Sequence, residues 1–236
     1  MKNLKTIFTV MFALVATFVF QSCLNDNDSD VPDYAAIATT HVTSEADAAV
    51  TTYYFQLDNE KTLIPISSSV GNFKAVEGQR VIIQYDIEET ATAGYDYSIE
   101  LFNIAEVLTK DIKLLTAENE KEMGHDAITV IKENSKMAGG YLNLSISFVR
   151  GSSTATVNLV ENTINPAEDS DYTVLELRLN NPNSDASNYS SHGLVSFKMA
   201  DYNPTITGKK GIKVIAKGSN VGEVREYTFT YDSTEE

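Results

Sequence analysis

"YLNLSISFV" (141–149) decides the fold class. Leu142, Leu144, Ile146 and Phe148 fall on one face of an extended chain, and Asn143, Ser145 and Ser147 fall on the other. A period of two belongs to an antiparallel β-strand with one face in a core. Wound as a helix, the same four apolar residues would face two opposite sides, and no single stripe could be buried. The segments around it share its texture: "AITVIK" (127–132), "TATVNLVEN" (154–162), "YTVLELRLN" (172–180), "GLVSFKM" (193–199), "GIKVIAKG" (211–218) and "REYTFTY" (225–231). They are rich in β-branched and aromatic residues and are separated by turns such as "RGSS" and "NNPNSDASN". Seven such strands predict an antiparallel β-sandwich over residues 126–236. The cysteine pair and Trp of antibody domains are missing, since the chain has one Cys and no Trp.

Toward the N-terminus a second group of strands is expected. "AIATTHV" (36–42), "TTYYFQL" (51–57), "TLIPI" (62–66), "QRVIIQYDI" (79–87) and "YDYSIELFNIAEVL" (95–108) are punctuated by "DNEK", Gly78 and Gly94. Five antiparallel strands suit a small closed barrel, here residues 34–115, with Pro65 assigning its strand to an edge. Between the two units, Thr116 is placed to cap a short helix, with Glu118 and Glu120 in its first turn and Gly124 at its end. Residues 116–125 are therefore the expected junction, and the fold class is all-β, a barrel followed by a sandwich.

Residues 1–22 read as an export signal: Lys2 and Lys5 precede an apolar run from Ile7 to Phe20 that is too short to span a bilayer. Cys23 follows immediately, and Asp26, Asp28 and Asp30 come after it. A lone cysteine has no intramolecular partner for a disulfide, and acidic neighbours do not suit a buried thiol. The arrangement resembles a lipobox, with Phe20 and Gln21 departing from the commoner residues of that motif. Cys23 is thus the expected lipidation site, and residues 23–33 a solvated tether reaching roughly 30 Å at about 3.3 Å per residue. Two or three acyl chains hold a protein durably, since one alone binds only marginally. The "DNDSD" spacing is no calcium loop: Val31 stands where the sharp turn needs Gly, and Ile37 where the last carboxylate belongs.

The formal charge of −15 becomes more negative once Lys2 and Lys5 are removed. A surface of that sign repels nucleic-acid phosphates and anionic headgroups, so no nucleic-acid partner is expected and membrane attachment must come from lipid.

"LDNEKTLIPISSSVGNFKAVEGQRVIIQYDI" (57–87) runs on through "GYDYSIELF" and "LTKDIKLLTAENEKEMGHDAITV" to "YLNLSISFVRG" and "HGLVSFKM". This succession resembles the NigD-like lipoproteins of Bacteroidota across essentially the whole mature chain. The resemblance implies an N-terminal OB-like barrel, a C-terminal β-sandwich and a lipid anchor. It also implies that the acidic stretch after Cys23 directs export to the outward face of the outer membrane. It carries no catalytic motif, and its name points to a bacteriocin-associated locus.

Catalytic and metal chemistry have no motif in the sequence, while a Ser-His-Asp triad or a carboxylate pair assembled across the fold stays an open alternative. His41, His125 and His192 stand in three different segments with no metal-ligand spacing. No G-x-S-x-G elbow is present, and "EGQRV" and "MAGGYL" lack the spacing of a phosphate loop. "AEDSD" (167–171) reads as a solvated loop in preference to a calcium site. Tyr53, Tyr54, Tyr95 and Tyr97 offer stacking faces for a glycan on an OB barrel, with half of them expected in the core. The expectation is a non-catalytic surface lipoprotein of the outer membrane, without cofactor or metal, that binds or scaffolds an envelope component. The alternatives are a bacteriocin-immunity or toxin-sequestering lipoprotein and a glycan-binding accessory protein. The partner is accordingly an unknown protein or glycan.

Overall fold

The computed structural model of the chain describes residues 32–43, 52–151, 154–182 and 189–231. The expected signal segment, Cys23 and nearly all of the tether lie outside the described residues. The first unit is built from β1 (Tyr34–Val42), β2 (Tyr53–Leu57), β3 (Thr62–Ser68), β4 (Arg80–Ile87) and β5 (Tyr97–Glu106). They close into a barrel in the order β1-β2-β3-β5-β4, with only β3 and β5 parallel. Alternate residues fill its interior: Ala38, Phe55, Leu63, Val81, Ile83, Ile99 and Leu101 have no exposed surface. Val70 and Phe73, from the helix-free connection between β3 and β4, pack onto that core.

Pro65 is not on a free edge, because the barrel is closed. The β2 ladder ends at Leu63, so at Pro65 only β5 is paired, and the register slips by one residue just beyond it. The missing backbone donor of Pro65 therefore costs no ladder bond to β2.

The chain leaves the barrel at Val107. β6 (Leu108–Lys110) pairs in parallel with β13 (Ser190–Lys198), and β7 (Lys113–Leu115) in parallel with β11 (Thr156–Asn162). Residues 108–115, assigned to the barrel from sequence, therefore belong to the sandwich, one strand on the edge of each sheet. α1 (Glu120–Met123) is a single turn whose cap position is held by Asn119, not Thr116. The Asn119 side chain instead accepts from the Thr116 backbone N–H at 2.9 Å and donates to the Leu114 carbonyl at 2.9 Å. Met123 packs with Leu115 and Val160, which places this turn on the sandwich and not between the domains.

β8 (Thr129–Val130), β9 (Lys136–Ala138) and β10 (Tyr141–Val149) complete the first sheet with β6 and β13. β12 (Tyr172–Asn180), β14 (Gly211–Lys217) and β15 (Val224–Thr230) complete the second, in the order β15-β14-β12-β11-β7. β12 and β14 are also parallel. Leu142, Leu144, Ile146 and Phe148 all enter the core between the sheets, as the alternation requires, against Leu159, Leu177, Val214 and Phe229. A second short helix, α2 (Pro204–Thr207), has Asn203 as its cap, whose side chain accepts from the Ile206 N–H.

Candidate binding site at the barrel–sandwich junction

The polar face of β10 does not simply meet water. Asn143 is 1% exposed because the barrel covers it, and the group that reaches it is Arg80, fully buried at the start of β4. One Arg80 Nη donates to Asn143 Oδ1 at 3.2 Å, and the other donates to Thr39 Oγ1 at 3.1 Å. Asn143 Oδ1 also accepts from Ser196 Oγ at 2.6 Å, from the neighbouring strand β13. The Arg80 guanidinium lies 4.5 Å from the centre of the Tyr141 ring, a cation–π contact across the junction. Its carboxylate partner is Asp58, in the turn between β2 and β3, with Nη2 and Oδ1 2.8 Å apart. The Lys136 ammonium stands 3.7 Å from the other Asp58 oxygen.

The backbone ties the same place together. Val107 N–H donates to the Arg80 carbonyl at 2.9 Å, and the Gln79 side-chain amide donates to the carbonyls of both Arg80 and Val107. The β9–β10 hairpin turns through Gly139 and Gly140, both at positive φ, the geometry of a two-residue hairpin loop. Gly139 presses against Asp58 so closely that an added Cβ would lie 2.5 Å from Oδ1.

Several polar atoms at this seam are sealed from solvent without a well-directed hydrogen bond: Arg80 Nε, Asn143 Nδ2 and both Asp58 oxygens. The Arg80–Asp58 contact is therefore a close ion pair whose angles fall short of a hydrogen bond. Two cavities open on either side of Asp58 and share Met137 and Ala138 as walls. One, of about 690 Å³, is lined further by Tyr141, Lys198, Met199 and Tyr231, and the other, of about 450 Å³, by Asn59, Lys132, Lys136 and Phe229. Both volumes fall in the range of small-ligand pockets, about 300–1,000 Å³.

The three histidines stay apart. His41 sits on the outside of the barrel, its Nδ1 2.9 Å from Glu77 and its Nε2 3.2 Å from Gln56. Loss of solvent, and then the charges of Arg178 and Lys217, lower the pKa of His125. His192 lies opposite Ser147 on β13. Among the described residues no three His, Cys, Asp or Glu side chains gather as metal ligands. In the "AEDSD" loop, Asp169 accepts from the N–H groups of Asp171 and Tyr172 and is ion-paired with Lys213, which together hold its carboxyl down at about 2.

The tyrosines divide. Tyr53 joins the barrel core, edge-on to Phe55 and Phe73. Tyr54 has His41 stacked 4.9 Å away and Tyr95 tilted at 5.4 Å, so its neighbours already use its ring. Tyr97 is exposed. The groups that meet at the junction, Asp58, Arg80, Gly139 and Asn143, escape a reading of the sequence because each is unremarkable in its own segment. Only the doubled glycine of "MAGGYL" hinted at a close approach.

An OB-type barrel fastened to a β-sandwich through a buried arginine, with cavities along the seam, defines a two-domain all-β protein. The family descriptions agree domain by domain: residues 41–107 match the NigD-like N-terminal OB domain, and residues 111–231 match the NigD-like C-terminal β-sandwich domain. The chain belongs to the NigD-like family. It is similar to a protein of unknown function from Bacteroides vulgatus (29% identity, TM-score 0.69, covering 86% of this chain and 93% of that one). A protein from Parabacteroides distasonis described as a putative toxin-related protein shares the fold at 24% identity and TM-score 0.64, over 85% of this chain and 94% of that one. A NigD-like immunity protein from Bacteroides caccae does so at 18% identity and TM-score 0.57, over 84% and 97%. The chain matches no curated protein.

Proposed function

We propose that this chain is a non-catalytic lipoprotein of the cell envelope, anchored through Cys23, which binds another envelope component in the cleft between its barrel and sandwich. The observation that carries the reading is the seam itself. Ligand-sized cavities flank a buried ion pair at the contact of the two domains. The sequence around Cys23 supports the anchor, and placement on the outward face of the outer membrane extends the same reading.

Two experiments test the two halves. Cys23→Ala moves the protein from the membrane pellet to the soluble fraction; a variant that stays in the pellet overturns the anchor. Pull-downs from detergent-solubilised envelopes recover a partner that is lost when Lys198→Glu reverses the charge at the half-exposed edge of the larger cavity. Equal recovery by both proteins places binding elsewhere.

A second reading is favoured by what two relatives are called, an immunity protein and a toxin-related protein. In it the bound component is a toxin of sibling cells. Deleting the gene then sensitises cells to sibling culture supernatants, and unchanged survival removes the reading.

A further inference from the structure

The smaller cavity has a charge opposite to that of the molecule around it. The chain carries −15 overall, yet the charged side chains in this wall are Lys132, Lys136 and Asp58. Asp58 does not offer its charge to the cavity, because both its oxygens are sealed and Arg80 neutralises them from the barrel side at 2.8 Å. That leaves two ammonium groups, one at the start of the 3-10 turn Lys132–Asn134 and one at the start of β9. Lys136 lies at the outer edge of the Asp58 contact, 3.7 Å away and largely exposed. Lys132 has no carboxylate within ion-pair distance among the described residues; its ammonium rests 3.7 Å from the centre of the Phe229 ring. Partial loss of solvent lowers its pKa with no neighbouring carboxylate to raise it.

A cation held in this way is under-neutralised. Lys61, Lys198, Lys210 and Lys213 are instead paired with the carboxylates of Asp96, Asp111, Asp171 and Asp169. A concave wall of one sign focuses field lines and concentrates counter-ions. The Asn59 side chain and Thr230 add neutral polar groups to the rim, and Met137 and Ala138 supply an apolar floor.

We infer that the cavity between Asn59, Lys132, Lys136 and Phe229 is an oxyanion subsite, which takes a carboxylate or phosphate group on a small ligand. This deepens the reading of the junction as a binding site and rests on it. The apolar floor beside the two ammonium groups suits an anion carried on a sugar-sized body better than a bare ion.

The test is calorimetric titration of the detergent-solubilised full chain with D-glucuronate, with inorganic phosphate, and with D-glucose as the uncharged control. Saturable binding of either anion, with no binding of glucose, is expected. The double variant Lys132→Gln/Lys136→Gln weakens it about tenfold or more, the worth of a charge-assisted hydrogen bond. Lys121→Gln, on the exposed face of α1 and in neither cavity, leaves it unchanged. Glucuronate binding with silent phosphate assigns a carboxylate-bearing sugar, and the reverse assigns a phosphate source. No saturation by either anion in the millimolar range, or equal binding by the double variant, overturns the subsite. If the double variant still captures an envelope partner in the pull-down, only the subsite falls and the broader proposal stands.

Discussion

Replacing Arg80 by Met tests whether the junction is held by a buried charge or merely decorated with one. Arg80 has no exposed surface and the Asp58 side chain only 10%. Methionine fills most of the volume, so the main change is that Asp58 loses its counter-charge and keeps only Lys136 at 3.7 Å, itself 61% exposed. Removing one partner of a buried pair costs about 3–5 kcal/mol, because the remaining charge is stranded. For a protein of this size each kcal/mol lowers Tm by about 2–4 °C, so a fall of roughly 6–20 °C is expected. Lys136→Met removes an exposed contact to the same carboxylate and costs no more than about 1 kcal/mol.

With no Trp to report unfolding, calorimetry is the natural assay, backed by far-UV circular dichroism. A double-mutant cycle completes the argument. Adding Asp58→Asn to Arg80→Met removes the stranded charge and recovers at least half of the loss, which pure cavity formation would not permit. Because Arg80 also binds Asn143 on the sandwich, its loss separates one cooperative transition into two. An Arg80→Met variant that melts within about 1 kcal/mol of the parent refutes the claim that this pair fastens the domains.

Gly139→Ala and Gly140→Ala share the backbone penalty of positive φ, about 1 kcal/mol, but only the first drives a Cβ onto Asp58. Urea unfolding should therefore find Gly139→Ala the more destabilising, by about 1–2 kcal/mol. Hydrogen bonds from Lys61 and then from the Thr62 backbone hold the Asp96 carboxyl at about 2, below its unfolded value near 3.9. Its stabilising contribution is thus complete above about pH 4 and is lost as pH falls toward 2. Asp96→Asn flattens that part of the Tm–pH curve, and an unaltered curve contradicts the assignment. Lys110 shifts in the same direction for a different reason: burial lowers its pKa to about 8, while its Nζ donates to the Val157 carbonyl and Asn158. Between about pH 8 and 10 the unfolded chain binds the proton more readily, so stability rises with pH. That rise is smaller in Lys110→Met, when the two proteins are melted side by side.

The strands that carry their own period were legible. β10 was fixed by its alternation, and the five barrel strands fall where β-branched runs and turn residues put them. What escaped were features made by distant partners. β6 and β7 are three residues each, too short to display a period, and they exist because β13 and β11 pair with them. Asn143 sits on the polar side of β10, where water was the simplest expectation; its partner Arg80 is 63 residues away and belongs to another domain. The expected cap at Thr116 failed for a related reason. Asn119 uses its amide to tie Thr116 and Leu114 together before the helical turn begins, a choice that depends on how the sandwich receives β7.

The way the linker is sewn in bears on how the cleft can work. Leu108–Lys110 and Lys113–Leu115 take up edges of opposite sheets, and Val107 is held by the Arg80 carbonyl, so the barrel leaves the sandwich through no free hinge. One wall of the cleft is the tight β2–β3 turn at Asp58, and the other is the glycine hairpin between β9 and β10, the two in contact at Gly139. Binding then orders lysine side chains more than backbone, which keeps the entropic cost low. A protein built this way suits capture by a preformed groove. Closure of two domains around a ligand would require breaking the Arg80–Asp58–Asn143 contacts that seal the seam.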